Sequence, residues 1–371
     1  MILLAFNPRE TLPDSTAGAN GTFVERSAEM KRVLVTGAGG YVGIPLCRAL
    51  LERGYHVVAL DRFFFGRDKL ATLTGRPEFE LLVDDIRFVD PSLVRKVDAI
   101  IDLAGLSNDA AADLDPELTR QINAQGAARL ARARKAAGVR RYVYSSSASV
   151  YGAGAKDQLN EADECHPQTE YARSKQAVEA ALRELHDDKF EIVLLRNATI
   201  FGLAPRMRFD LAINVMTLRA WKDKAVYVMG GGNQWRPFVH VSDVVRALIL
   251  SLEAPREKVD GQVFNVGHEG LNHRILDIAQ MVADVVPGIT IHRLPEDADK
   301  RSYNLSFEKI RRQLDFTPQV SVLEGIREIV EALDKGLVDG SDPTCYTVQW
   351  YKSLLDWDKR LKEISYKGVV L

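Results

Sequence analysis

From residue 32 onward the chain alternates two kinds of apolar spacing. Arg32-Val33-Leu34-Val35 is a short β-branched run ending in Thr36-Gly37, and runs of similar length recur at 55–61, 79–84, 99–104, 141–145 and 191–196. Short apolar runs bounded by turn residues predict buried strands. Stretches with helical spacing lie between them. Residues 44–53 carry Pro45 in the first turn and stop at Gly54, the Ala/Arg-rich residues 118–137 stop at Gly138, and residues 169–186 form a third. Proline is tolerated in a first helical turn, and glycine past the last turn is a termination signal. Strands alternating with helices predict an α/β fold, a Rossmann-like doubly wound parallel sheet with helices on both faces.

The flanks read differently. Residues 1–29 hold Pro, Asp, Ser, Thr, Gly and Asn without apolar periodicity, the pattern of a flexible leader. Residues 30–200 carry the strand and helix alternation. From 201 to 335 the pattern loosens around Gly202-Leu203-Ala204-Pro205, Gly230-Gly231-Gly232 and Arg236-Pro237, which predicts a second, smaller C-terminal domain. Part of it, 236–267, is expected to return to the first domain, because Gln262-Val263-Phe264-Asn265-Val266-Gly267 reads as one more strand. Residues 336–371 read as a helical extension whose aromatic stretch, Trp350-Tyr351 to Trp357, is expected to pack on the body rather than bind anything.

Composition narrows the partners. The 49 basic and 51 acidic side chains leave a net charge of −2, so there is no positive field to hold a nucleic acid through its phosphates. Three widely spaced cysteines, Cys47, Cys165 and Cys345, supply neither a disulfide framework nor a zinc site, which fits a reducing, cytoplasmic setting. No apolar run has the roughly 18 residues of a membrane span. Met1-Ile2-Leu3-Leu4-Ala5-Phe6, followed at once by Asn7-Pro8-Arg9-Glu10, is too short for a signal peptide. His268-Glu269 with His273 lacks the spacing of a helical zinc pair, and no metal is expected.

The chemistry begins at Thr36-Gly37-Ala38-Gly39-Gly40-Tyr41-Val42-Gly43, where Gly37, Gly40 and Gly43 stand three residues apart between a strand and a helix. Glycines there let the backbone turn tightly and approach a pyrophosphate on the helix N-terminus. Asp61 ends the next strand, where a carboxylate accepts from a ribose 2′-hydroxyl and repels a 2′-phosphate, which favours NAD. The neighbouring Arg62 also suits the extra phosphate of NADP, which stays the alternative.

Tyr171 and Lys175 are four residues apart and so share one helical face. A phenol titrates near pH ~10, and a nearby cation stabilises the phenolate, making Tyr171 a candidate acid/base. Ser145-Ser146-Ser147-Ala148-Ser149-Val150-Tyr151-Gly152 leaves the end of the fifth strand, the edge where ligands lodge in such sheets.

Together these residues resemble the extended short-chain dehydrogenase/reductases, the NAD-dependent nucleotide-sugar epimerase and dehydratase family, over residues 31–330. The glycine loop, Asp85-Ile86, Leu103-Ala104-Gly105, Asn123 with Gly126, the Ser-Ser-x-x-Val-Tyr-Gly segment, Tyr171 with Lys175, and Arg236-Pro237-Phe238-Val239-His240-Val241 occur in the family's order. The resemblance makes 30–200 the NAD-binding domain and 201–335 the nucleotide-sugar-binding domain. It makes Tyr171 the catalytic base, Lys175 the residue that binds the nicotinamide ribose and lowers the phenol's pKa, and Ser147 the hydroxyl that holds the reacting oxygen. The cofactor would be bound by Gly37, Gly40, Tyr41, Val42, Gly43, Asp61, Arg62, Asp85, Ile86, Leu103, Ala104, Gly105, Asn123, Ser145, Tyr171, Lys175 and Asn197. The substrate would be bound by Ser147, Thr199, Asn214, Arg236 and Arg301.

Departures from the family pattern sharpen the expectation. Sugar 4,6-dehydratases carry an Asp-Glu pair after the catalytic Ser/Thr, and here Ala148 and Ser149 stand there. The acidic residue that decarboxylating relatives use in this segment is missing too. Thr199 replaces the substrate-binding Asn of galactose epimerases. The reading is an NAD-dependent epimerase of a nucleotide-diphosphate sugar, acting at C4 through a 4-keto intermediate, in a cytoplasmic homodimer that binds neither nucleic acid nor membrane. The alternatives are an NAD(P)H-dependent 4-ketoreductase or sugar dehydrogenase, and a non-catalytic nucleotide-binding regulator.

Overall fold

Val33, Leu34 and Val35 are wholly shielded from solvent because their strand lies inside a seven-stranded parallel sheet. In the computed structural model the chain runs β1 (Arg32–Thr36), α1 (Gly43–Glu52), β2 (His56–Asp61), β3 (Phe79–Val83), β4 (Ala99–Asp102), α2 (Asp109–Ala112), α3 (Pro116–Thr119), α4 (Ala127–Ala136), β5 (Arg141–Ser147), α5 (Glu170–Leu185) and β6 (Glu191–Asn197). It continues through β7 (Thr199–Phe201), α6 (Ala212–Asp223), β8 (Ala225–Val228), β9 (Trp235–His240), α7 (Val241–Glu253), α8 (Arg256–Val259) and β10 (Gln262–Val266). The last elements are β11 (Asn272–Arg274), α9 (Ile275–Val285), β12 (Thr290–Arg293), α10 (Glu308–Leu314), α11 (Val322–Asp334) and α12 (Thr347–Ile364). The structure describes residues 32–90, 97–152, 158–295 and 302–369. The expected leader at 1–29 and the assignment of Arg301 lie outside the described residues.

The strand order β10-β6-β5-β4-β1-β2-β3 is the doubly wound arrangement that the alternation of strands and helices predicts. Leu34, Val58, Ile100, Tyr142 and Leu194 meet Leu130 of α4 and Val178 and Leu182 of α5 in one core. Alternate positions such as Val33, Val57 and Val143 are equally buried and point the other way, where α1 and α7 pack against the sheet and each other. Each such fully buried aliphatic side chain contributes about 2 kcal/mol. A second core joins Phe201, Ile213, Val226, Phe238, Ile278 and Ile326 around the small sheets β11-β9-β7 and β12-β8.

One helix departs from its expected course. Residues 118–137 have the spacing of a single helix, yet the structure inserts a π-helical stretch, Arg120–Gly126, between α3 and α4. A Cβ on Gly126 would stand 3.2 Å from side-chain atoms of Arg87 and Ile86, so the stretch lies tight against the loop after β3. The wider turn carries Asn123 inward to the loop after β4, the kind of place where π-bulges cluster.

Candidate active site

A cavity of about 630 Å³ opens at the C-terminal ends of the parallel strands, within the size range of small-molecule sites. It straddles β1 and β4, on either side of which the strand order reverses. The loop after β1 enters it with Gly37 at φ +66°, where a Cβ would lie 2.9 Å from the Leu103 carbonyl carbon. At Gly43 a Cβ would come within 2.2 Å of the Gly37 oxygen. The glycines therefore hold the backbone against itself and leave the N-terminus of α1, which no side chain caps, facing the cavity wall. Such a terminus attracts an anion.

Asp61 closes β2 beside that loop. One carboxylate oxygen accepts from the Gly39 amide at 3.0 Å and the other from the Phe63 amide at 2.7 Å. Burial pushes its pKa up, against the pull of the amides. Arg62 is engaged by Asp85 at 3.3 Å and stacks over Phe64 at 5.2 Å. Asp85 is also gripped by Arg87 at 2.7 Å; burial opposes its ionisation, but the guanidiniums prevail and hold the carboxyl below its ordinary value. A glycine cradle that a Cβ would fill, an open helix terminus and a strand-end carboxylate together fit a dinucleotide with a free 2′-hydroxyl.

The reacting groups line the same cavity. Thr169 caps α5 by accepting from the Ala172 amide, which sets the helix so that Tyr171, Lys175 and Glu179 share a face. Burial raises the Tyr171 pKa to about 12, with the Asp109 carboxylate adding to the rise and the nearby Ser147 hydroxyl opposing it. Ser149 donates through both its amide and its hydroxyl to the Ser147 hydroxyl oxygen. Lys175 shares the helical face of Tyr171 but makes its hydrogen bond elsewhere. Its ammonium donates to the Ser145 carbonyl at 2.7 Å and lies 4.7 Å from the Tyr144 ring centre and 5.8 Å from that of Tyr171. Burial lowers the Lys175 pKa to about 8. Beneath, the fully buried Glu179 accepts from Ser146 and from two nitrogens of Arg196, fastening α5 to β5 and β6.

Most of the expected residues converge. Gly37, Gly40, Tyr41, Val42, Gly43, Asp61, Arg62, Asp85, Ile86, Leu103, Ala104, Gly105, Ser145, Ser147, Tyr171, Lys175, Asn197, Thr199 and Arg236 line the one cavity. The Asn197 amide donates to the Ser145 hydroxyl at 2.9 Å, while its buried oxygen has no partner among the described residues. Two expected residues are turned inward. Asn123 exchanges hydrogen bonds with the Leu106 amide and carbonyl. Asn214 accepts from Gly202 and donates to Tyr41 and to the Arg208 carbonyl. Both fasten cavity loops instead of facing the cavity, because their hydrogen-bonding groups are spent on main-chain and phenol partners.

Among the lining residues that escape a reading of the sequence are Arg206, Arg208, Tyr303 and Tyr351. Arg208 forks onto Asp210 at 2.7 and 3.2 Å. The Arg206-Met207-Arg208 pair of cations in a loop was the one signal available for the first two. Tyr303, stacked with Arg236, and Tyr351 had none.

A family model, the NAD dependent epimerase/dehydratase family, matches residues 33–267. A UDP-glucuronic acid decarboxylase of Arabidopsis thaliana is 31% identical over 81% of this chain and 69% of its own. A UDP-glucose 4-epimerase of Mycolicibacterium smegmatis is also 31% identical, over 81% of this chain and 97% of its own. Among solved structures, the UDP-glucuronic acid 4-epimerase of Bacillus cereus in complex with UDP-glucuronic acid and NAD superposes with a TM-score of 0.74 at 26% identity, covering 82% of this chain and 99% of that one. With these matches and a cavity built around the glycine loop, the chain belongs to the NAD-dependent epimerase/dehydratase family, enzymes of the extended short-chain dehydrogenase/reductase type that act on nucleotide sugars with NAD.

Proposed function

We propose that the protein is an NAD-dependent epimerase of a nucleotide-diphosphate sugar, inverting C4 through a transient 4-keto sugar. The observation that carries this reading is the placing of Tyr171 and Ser147 on the wall of one cavity, with the Ser147 hydroxyl near enough to lower the phenol's pKa, beside positions 148 and 149, which hold a buried alanine and a serine that only supports Ser147. A phenol and a hydroxyl at one point suit exchange of the proton of a single sugar hydroxyl. The carboxylate pair that dehydration uses is absent from that segment.

NAD, when bound, supplies the hydride acceptor and a positive ring. Tyr171 then takes the hydroxyl proton as the carbon is oxidised and returns it after the ketone has presented its other face. Ser147 holds the oxygen throughout, and Lys175 fixes the Ser145 carbonyl that lines the cavity. Arg236, stacked with Tyr303 at 5.6 Å on the β9 side, faces the cavity where a diphosphate would bring negative charge. Binding energy from that distant end would hold the intermediate while the sugar turns. Pairing into a homodimer belongs to the same proposal and is read by sedimentation.

The test is incubation of the purified protein with a panel of nucleotide sugars, with mass analysis of the nucleotide released on denaturation. Co-purified NAD and interconversion of C4 epimers without added cofactor are expected, and Tyr171→Phe should lose at least about a thousandfold in kcat while retaining NAD. A protein that releases no nucleotide and oxidises NADPH with a 4-keto sugar would be a reductase, and undiminished turnover by Tyr171→Phe would move the chemistry elsewhere.

A further inference from the structure

We propose that Tyr351 is a cofactor-binding residue supplied by the C-terminal segment, and that residues 343–364 form a clasp that slows cofactor release. The inference rests on reading the glycine-loop cavity as the NAD site. Helix α12 is 18 residues long, but only Thr347 of it is fully buried. Its side-chain hydrogen bonds and ring contacts to the body are concentrated at its N-terminal end and reach the loop after β2 or the cavity wall. The Trp350 indole donates to the Phe64 carbonyl at 2.6 Å. The Tyr351 ring lies 5.3 Å from Phe65 and edge-on to Phe64 at 6.1 Å. Arg206 donates to the Thr347 hydroxyl at 2.8 Å and to the Thr344 carbonyl at 3.0 Å.

Two independent observations point to a ligand between these groups. The Tyr351 hydroxyl has no hydrogen-bond partner among the described residues, although the residue lines the cavity and Asp61 and Arg206 are the charges that act most strongly on its ionisation. The ring is only partly buried, so the hydroxyl at the cavity wall is open to a ligand that enters there. Arg206, only 2% exposed, stacks on Phe65 at 3.6 Å, pairs with no carboxylate among the described residues and leaves its Nε without an acceptor. A buried cation without a counter-ion is costly, and a dinucleotide brings both an anionic diphosphate and ribose hydroxyls to this wall. The clasp thus covers the side of the cavity next to the loop after β2, and its effect is read in cofactor residence.

The experiment follows release of NAD from the purified holoenzyme by exchange against labelled NAD, for the wild type, Tyr351→Phe, Tyr351→Ala and Trp350→Phe, each checked for an unchanged melting profile. Loss of one neutral hydrogen bond predicts release about fivefold faster for Tyr351→Phe, and removal of the ring predicts more than about tenfold for Tyr351→Ala. Trp350→Phe, which cuts the tether to Phe64, should also release faster. Release by all three variants within twofold of the wild type would overturn the clasp while leaving the NAD site intact. A wild-type protein that holds no NAD and converts no nucleotide sugar would instead overturn the reading of the cavity, and the clasp with it.

Discussion

Lys175 gives its ammonium to the carbonyl of Ser145 at 2.7 Å, not to the phenol of Tyr171 one turn earlier on the same helix. The lysine is buried to 5% exposure, and its pKa falls from 10.5 to about 8. A folded-state pKa below the unfolded one means that the unfolded chain binds the proton more tightly between those values, so stability rises with pH across that window. Below pH 8 the folded protein bears the full cost of keeping the cation buried.

Lys175→Met should therefore stabilise the protein stripped of nucleotide by about 2 kcal/mol at pH 7, while abolishing turnover. The gain should shrink as pH rises from 8 toward 10.5, which urea denaturation at a series of pH values would read. A variant no more stable than the wild type at pH 7 would show that the lysine is not held at a cost.

The nearby Ser147 hydroxyl lowers the Tyr171 pKa. Removing the hydroxyl in Ser147→Ala should raise that pKa further and move the rising limb of the kcat/KM profile to higher pH, because the base must be deprotonated to act. Loss of a donor to the reacting oxygen should also lower kcat about a hundredfold. An unshifted profile would mean that Tyr171 is not the group that titrates.

Asp61 joins the glycine loop to the end of β2 through the Gly39 and Phe63 amides. Asp61→Ala removes two charge-assisted acceptors and the carboxylate proposed to meet the ribose, so NAD affinity should fall about tenfold to a hundredfold. Discrimination against NADP should narrow as well, since the repulsion of a 2′-phosphate is lost. Calorimetric titration with both cofactors measures the two effects together.

Gly43→Ala tests the cradle itself. Its Cβ would meet the Gly37 oxygen at 2.2 Å and the Ala38 Cα at 2.7 Å, all main-chain atoms that no side-chain rotation can move. Overpacking of this kind costs about 1–3 kcal/mol. A lower urea midpoint and loss of co-purified NAD are expected, and an alanine variant that purifies with a full complement of NAD would refute the role given to the loop.

The sheet, the helices on its faces, the glycine loop and the shared helical face of Tyr171 and Lys175 were legible along the chain because each depends on neighbours within about one turn or one strand. Period and spacing carry that information directly. The π-helical stretch at Arg120–Gly126 was hidden because Gly126 answers to Arg87 and Ile86, which no local pattern connects with it. Asn214 read as a ligand residue and proved to be a fastener, since polarity alone does not say whether an amide meets a cavity or a backbone. In the aromatic stretch of the tail Trp357 stays half exposed, whereas Trp350 reaches Phe64 across 286 residues and brings Tyr351 into the cavity wall. The residue types in a site can be named from sequence when they sit on the scaffold's own turns. Which buried polar atoms are left for a ligand is set by the sum of contacts from distant segments, and only the folded chain performs that sum.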